Sequence, residues 1–217
     1  MDALIKELRQ KPGLKFLANE LNEILREEDM RREEFYNTIT EDDKAEFING
    51  EIIMHSPVKR RYGKPTVYLV SLLHAYSLRH DPGEIYTEKA MIHLTRNSYE
   101  PDIVYFKKDK AKLFTDDQMI FPAPDLIVEI LSPTTEKYDR GIKFTDYSLH
   151  GIKEYWIIDP VEYCVEQYLL KQDTYHLEYK GKTGSITSEV LAGFTIEIKA
   201  VFNEQESLKA LQQILLP

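Results

Sequence analysis

The chain has 217 residues, a formal net charge of −9, 42% hydrophobic and 30% charged side chains, and one cysteine. These figures describe one globular domain, or a domain with an appendage, and exclude a protein that coats nucleic acid through an overall positive charge. The lone cysteine excludes an internal disulfide, no apolar run approaches the roughly 20 residues that span a bilayer, and no leader pattern opens the chain, so the reading is cytoplasmic with no membrane partner.

Residues 4–34 are expected to be helical. Leu4, Leu8, Phe16, Leu17, Leu21, Ile24 and Leu25 recur at three- and four-residue spacings, and Pro12-Gly13 breaks the run. The later part, from Glu20 to Glu34, is dense in charge and reads either as a solvated face or as a helix packing on a partner subunit. Phe47–Met54 carries Asn49-Gly50 between apolar runs, the signal of a tight hairpin. A helix is expected over 62–80 and a strand over Glu84–Leu94. Two β-branched, acid-bearing strands follow, Glu100–Phe106 and Pro124–Pro133, separated by the polar stretch Lys107–Phe121. Asp139–His150 reads as a helix ended by Gly151. Strands are then expected over Glu154–Asp159, Tyr163–Leu170, Thr174–Tyr179, Ser188–Leu191 and Thr195–Ile198, with a closing helix over 204–216. Cys164 and Trp156 read as core. This order implies an α/β (α+β) domain built on one central mixed β-sheet flanked by helices.

The chemistry concentrates in the acid-bearing strands. Asp102 opens the first and Glu129 sits inside the second. Acids are seldom buried in apolar strands unless they are paired or hold a metal. If the strands are neighbours, the two carboxylates and the Ile130 carbonyl form a donor set for a hard cation, Mg²⁺ or Mn²⁺, of the kind that serves phosphate-ester cleavage. A buried Glu–Lys pair without catalysis is the rival reading of Glu129. Asp125 lies on the same strand face as Glu129 and could instead satisfy backbone amides, with Arg140 as a partner for either acid. Lys59, Arg60, Arg61 and Lys64 form a basic cluster before a helix, read as a solvated loop or as a phosphate-gripping edge.

Phe47–Glu51, Ser56-Pro57, Pro101-Asp102, Ala123–Pro133, Asp139–Tyr147 and Gly151–Pro160, in that order, resemble the Uma-type putative restriction endonuclease family of the PD-(D/E)XK nuclease superfamily. The likeness covers about residues 40–203. It implies a restriction-endonuclease-like core over 39–217 with an N-terminal helical extension over 1–38. It also implies a Mg²⁺-dependent endonuclease acting on DNA. Position 131, where the superfamily name places a lysine, is Leu. The resemblance shifts that role to Lys143 on the following helix, completing a catalytic set of Asp102, Glu129 and Lys143. It further suggests Glu51 for a water-mediated metal contact and His55 for a contact to substrate, with Arg140 and the basic cluster as further substrate-binding residues. Cutting both strands of a duplex calls for two active sites, which points to a homodimer. The alternative is a nuclease-fold protein with little or no activity that serves as a nucleic-acid or protein binding module.

Overall fold

The computed structural model describes residues 2–40, 42–80 and 82–216. The N-terminal helices are α1 (Asp2–Leu8) and α2 (Leu14–Thr38), divided where Pro12-Gly13 interrupts the periodicity. A hairpin follows, β1 (Ala45–Ile48) and β2 (Glu51–Met54), then α3 (Arg60–His80). Asn49 and Gly50 both adopt positive φ, 51° and 82°, the conformation a two-residue hairpin turn requires. Next come β3 (Gly83–Thr87), β4 (Met91–His93), β5 (Ser98–Tyr99), β6 (Ile103–Lys107), α4 (Lys108–Ala111), β7 (Ile120–Phe121) and β8 (Leu126–Ile130). The chain closes with α5 (Glu136–Asp139), α6 (Ile142–Leu149), β9 (Glu154–Asp159), β10 (Cys164–Lys171), β11 (Thr174–Gly181), β12 (Ser185–Thr187), β13 (Thr195–Glu197), α7 (Lys199–Phe202) and α8 (Glu204–Leu215). No helix among the described residues is long and apolar enough to cross a membrane.

The architecture is mixed α+β. A six-stranded mixed sheet runs β11-β10-β9-β8-β6-β3, with β8 and β9 parallel and the other pairs antiparallel. One face packs on α3, α7 and α8 through Leu72, Tyr105, Val128, Trp156 and Val201. The other packs through Val104, Ile127, Tyr155 and Ile157 on α6 and on a second, five-stranded sheet ordered β2-β1-β5-β4-β7. Alternation along β6 and β8 therefore assigns each residue to one of two cores. Asp102 and Glu129 share the parity that faces α6.

Four sequence expectations change. The helix expected over Asp139–His150 is two, α5 and α6, parted at Arg140-Gly141. The single strand expected over Glu84–Leu94 is two strands in different sheets, because the chain turns at Glu88, where φ is 58°. The polar stretch 107–121 contains α4 and β7. Ser188–Leu191 is not a strand, because its polar groups turn onto the Glu154 carboxylate. That carboxylate is fully buried and accepts from Trp156 Nε1 at 2.6 Å, Gln167 Nε2 at 2.7 Å, Ser188 Oγ at 2.8 Å, Glu189 N at 2.9 Å and Val190 N at 3.0 Å. Removing it would strand several buried donors. Glu154→Ala is expected to cost about 3 kcal/mol in urea denaturation; a loss below about 1 kcal/mol would show that water replaces the carboxylate easily.

Candidate active site

The pairing of β6 with β8 sets Ile103 opposite Val128. One step further, toward Pro101, that register brings Asp102 level with Glu129 on the same face. On the β8 side Asp102 does not continue the ladder with its own backbone, although its carbonyl accepts the Glu88 N–H from the β3 side at 3.2 Å. Its Oδ2 instead accepts the Ile130 N–H at 2.7 Å, which fixes the carboxyl at the mouth of a cleft of ≈ 430 Å³. Lys44 Nζ stands 3.7 Å from Oδ1.

Glu129 points from mid-strand toward α6. Its Oε1 accepts from Lys143 Nζ at 3.0 Å and from the Tyr147 hydroxyl at 2.8 Å, two side chains one helical turn apart. Oε2 has no donor among the described residues. Lys143 is fully enclosed and also lies 2.9 Å from Glu46 Oε1 and 3.3 Å from Asp139 Oδ1. One ammonium thus serves three carboxylates from three elements, β1, β8 and α5. Gly141 permits the tight bend between α5 and α6, since a Cβ there would lie 2.6 Å from the Lys137 carbonyl oxygen. The bend aims Asp139 and Lys143 inward together.

A second layer supports this one. Glu46 Oε1 accepts the Glu100 N–H at 3.0 Å, and Glu100 Oε2 accepts the Ala45 N–H at 2.9 Å, tying β1 to the residues just ahead of Asp102. His55 Nε2 lies 3.3 Å from Glu46 Oε2. His55 Nε2 and Asp139 Oδ1 are buried without a hydrogen-bond partner.

Carboxylates outnumber cations here. Glu46, Glu100, Asp102, Glu129 and Asp139 face Lys44, Lys143 and a histidine. Burial pushes the Glu129 carboxyl well up, with Asp139, Asp102 and Glu46 adding to the effect against Lys143. Burial likewise raises Asp102 and Asp139, each opposed by a lysine. Burial works against the charge of Glu46 as well, yet Lys143 and His55 hold its pKa down to about 2. Burial also disfavours the Lys143 ammonium, but Glu129, Glu46 and Asp139 outweigh it and hold the pKa well above the lysine range.

Burial pushes Glu100 up to about 7, although its bond from Ala45 and the charge of Lys44 pull the other way. A carboxyl with a raised folded pKa stabilises fully below its unfolded value, and that contribution is lost as pH rises through the folded one. Glu100→Gln keeps an acceptor for Ala45 and has no charge to bury. It is expected to be neutral near pH 4 and to stabilise by about 2–3 kcal/mol at pH 8. Melting curves at both pH values test this, and equal effects would contradict it.

The cleft gathers Asp102, Glu129, Ile130, Lys143, His55 and Lys59. It does not gather Glu51, which is exposed at the hairpin tip, because the turn at Asn49-Gly50 carries it away. The acid that the hairpin delivers inward is Glu46, a residue the sequence reading passed over. Arg60, Arg61 and Lys64 lie on the first turns of α3 beyond the rim, and Lys64 stands 3.9 Å from Glu204. Arg140 pairs with neither Asp125 nor Glu129. It grips Glu166 with two bonds of 2.9 and 3.0 Å and Glu136 with one of 2.9 Å, since the position next to Asp139 on the bend faces the opposite way. Asp125 accepts the Lys107 N–H at 2.9 Å and pairs with Lys110 at 3.1 Å.

The donor chemistry suits a hard divalent cation: acidic oxygens in excess, and Glu129 Oε2 without a donor among the described residues. Among the described residues, no three His, Cys, Asp or Glu side chains form a ready cage. A cation held here would therefore keep much of its water shell, a habit that suits Mg²⁺.

A family model, Uma2, described as a putative restriction endonuclease, matches residues 32–199. An uncharacterized Synechocystis protein, sll1609, is 30% identical over 130 residues, covering 58% of this chain and 72% of its own. The crystal structure of a putative nuclease belonging to DUF820 from Anabaena variabilis superposes with a TM-score of 0.68 at 22% identity, over 82% of this chain and 97% of that one. At that identity the match shows a shared fold.

Proposed function

We propose a function for a chain that belongs to the Uma2 family of putative restriction endonucleases: metal-dependent hydrolysis of DNA phosphodiester bonds. The observation that carries this reading is the surplus of buried carboxylate around Asp102 and Glu129, which cannot all be ionised without a further cation. Asp102, Glu129 and the Ile130 carbonyl are the proposed holders of Mg²⁺ or Mn²⁺. When bound, such an ion supplies Lewis-acid activation of the phosphate and a water of lowered pKa.

The protein's own groups do the positioning. The Ile130 N–H holds Asp102 Oδ2 in place. Lys143 and Tyr147 grip Glu129 Oε1, which leaves Oε2 for the cleft. Lys143 also offsets charge that builds on the phosphate in the transition state. At the rim, Lys59, with Arg60 and Arg61 beyond it, binds backbone phosphates and fixes the register of the strand. That patch reconciles a DNA substrate with a chain of net charge −9.

Supercoiled plasmid incubated with Mg²⁺ or Mn²⁺ tests the reading, with single-stranded RNA as a parallel substrate. Wild type is expected to nick DNA, and Asp102→Asn or Glu129→Gln to lose activity by a factor on the order of 10³. DNA binding without cutting by wild type would favour the binding-module alternative. Cutting undiminished in both variants would remove the site from the mechanism.

A further inference from the structure

Lys143, the lysine that the family pattern offers for catalysis, has no freedom to meet a substrate. Its side chain is 3% exposed, and three carboxylates hold its ammonium within 3.3 Å. Its charge acts on the cleft only at a distance. The cleft has another lysine, Lys44, which the sequence reading did not single out.

The hairpin places it. Ala45 pairs with Met54, so Lys44 stands opposite His55, and its carbonyl accepts the His55 N–H at 2.9 Å. Two residues ahead of Glu46, it shares that residue's face of the strand. Lys44, Glu46 and His55 therefore all line the cleft. The backbone at Lys44 is tied down, but its ammonium is held loosely. Its one ion pair among the described residues is with Asp102, and Nζ stands 3.7 Å from Oδ1, beyond hydrogen-bond length. Both side chains are 22% exposed, so the pair sits where the cleft opens to solvent.

The contact falls on the oxygen that matters. Asp102 Oδ2 is taken by the Ile130 N–H at 2.7 Å, which makes Oδ1 the freer atom for a cation. Lys44 supplies positive charge at that atom. A dication on the same oxygen meets a like charge at close range. Lysine carries its charge on a flexible four-carbon stem, so the ammonium can give up the carboxylate while the backbone stays in place. A strand entering the cleft brings a phosphate, the anion that a displaced ammonium needs. We propose that Lys44 is an exchangeable counter-ion: it neutralises Asp102, yields that carboxylate to the divalent cation, and pairs with the substrate phosphate instead. This rests on the nuclease reading above and adds to it a residue that touches substrate.

Calorimetric titration of Mn²⁺ into the full chain without DNA, and plasmid nicking at saturating Mn²⁺, test the two halves of the exchange. Lys44→Gln is expected to bind Mn²⁺ about tenfold more tightly, because the like charge beside Asp102 is gone. It is expected to nick about a hundredfold more slowly, because the phosphate loses its partner. Lys44→Arg keeps the charge and is expected to return both values most of the way to wild type. A loosened or misfolded site loses affinity and rate together, so tighter binding joined to slower cutting marks the exchange. If Lys44→Gln binds Mn²⁺ no more tightly than wild type, or nicks at the wild-type rate, the proposal is overturned and the nuclease reading stands. A wild type that neither binds Mn²⁺ nor nicks overturns both.

Discussion

Lys143→Met is expected to destabilise the protein by about 3–5 kcal/mol at pH 8, the cost of leaving buried charge without its partner. Methionine nearly conserves the volume, so packing changes little and the loss reports the ammonium. Glu46, Glu129 and Asp139 all converge on that group within 3.3 Å. The pH dependence has a definite sign. Because the folded pKa of Lys143 lies above the unfolded one, its contribution is complete below about pH 10.5 and is lost only above that. Glu46 is the opposite case. Its depressed pKa stabilises above about 4.5, and that stabilisation fades as pH falls toward 2. In the variant, the three acids can be accommodated only by taking protons, which low pH supplies. The deficit relative to wild type should therefore narrow from pH 8 to pH 5. Urea denaturation at both pH values checks this; a deficit under about 1 kcal/mol, or one independent of pH, would mean that the lysine does not clamp the cluster.

Millimolar Mn²⁺ is expected to raise the wild-type melting temperature by about 5–10 °C. At a hundredfold excess over Kd, binding to the folded state adds about 2.7 kcal/mol, and a chain of this size gains about 2–4 °C per kcal/mol. Asp102→Asn and Glu129→Gln should abolish most of that response. In metal-free buffer the same substitutions should change stability by no more than about 1 kcal/mol, or raise it. Each removes an acid from a cluster already short of positive charge, and each amide keeps an acceptor for the Ile130 N–H or the Lys143 ammonium. An equal Mn²⁺ response in wild type and both variants would place the cation elsewhere.

The two acid-bearing strands are legible because an acid in a Val/Ile/Leu run stands out against what burial allows, and Asp102 and Glu129 both do. The hairpin was legible because Asn49-Gly50 admits few alternatives. Lys143 was reached only through the family pattern, since a lone lysine in a helix reads as solvated. Glu46 escaped although its setting, Ala45-Glu46-Phe47-Ile48, repeats the acid-in-strand signal of Glu129. The Asn49-Gly50 turn dominates the signal of that run and draws the expectation to Glu51. Asp139 stands in the motif Asp139–Tyr147 with no role of its own in the sequence, although its position one turn before Lys143 marks it as a partner. Other features have no local signature. The split of 84–94 between two sheets depends on partners far along the chain, and the turn at 188–191 depends on a glutamate on another strand. Arg140 could not be assigned without knowing which side of the α5–α6 bend it occupies.

Calorimetric titration of Mn²⁺ near pH 7, repeated in two buffers of different ionisation enthalpy, tests the central claim most directly. Burial raises the Asp102 and Glu129 carboxyls, so a cation that binds them competes with protons. The predicted result is one site per chain, proton release on binding, and no measurable binding by Asp102→Asn. Absence of binding by wild type, or binding that neither releases protons nor needs Asp102, would contradict the account.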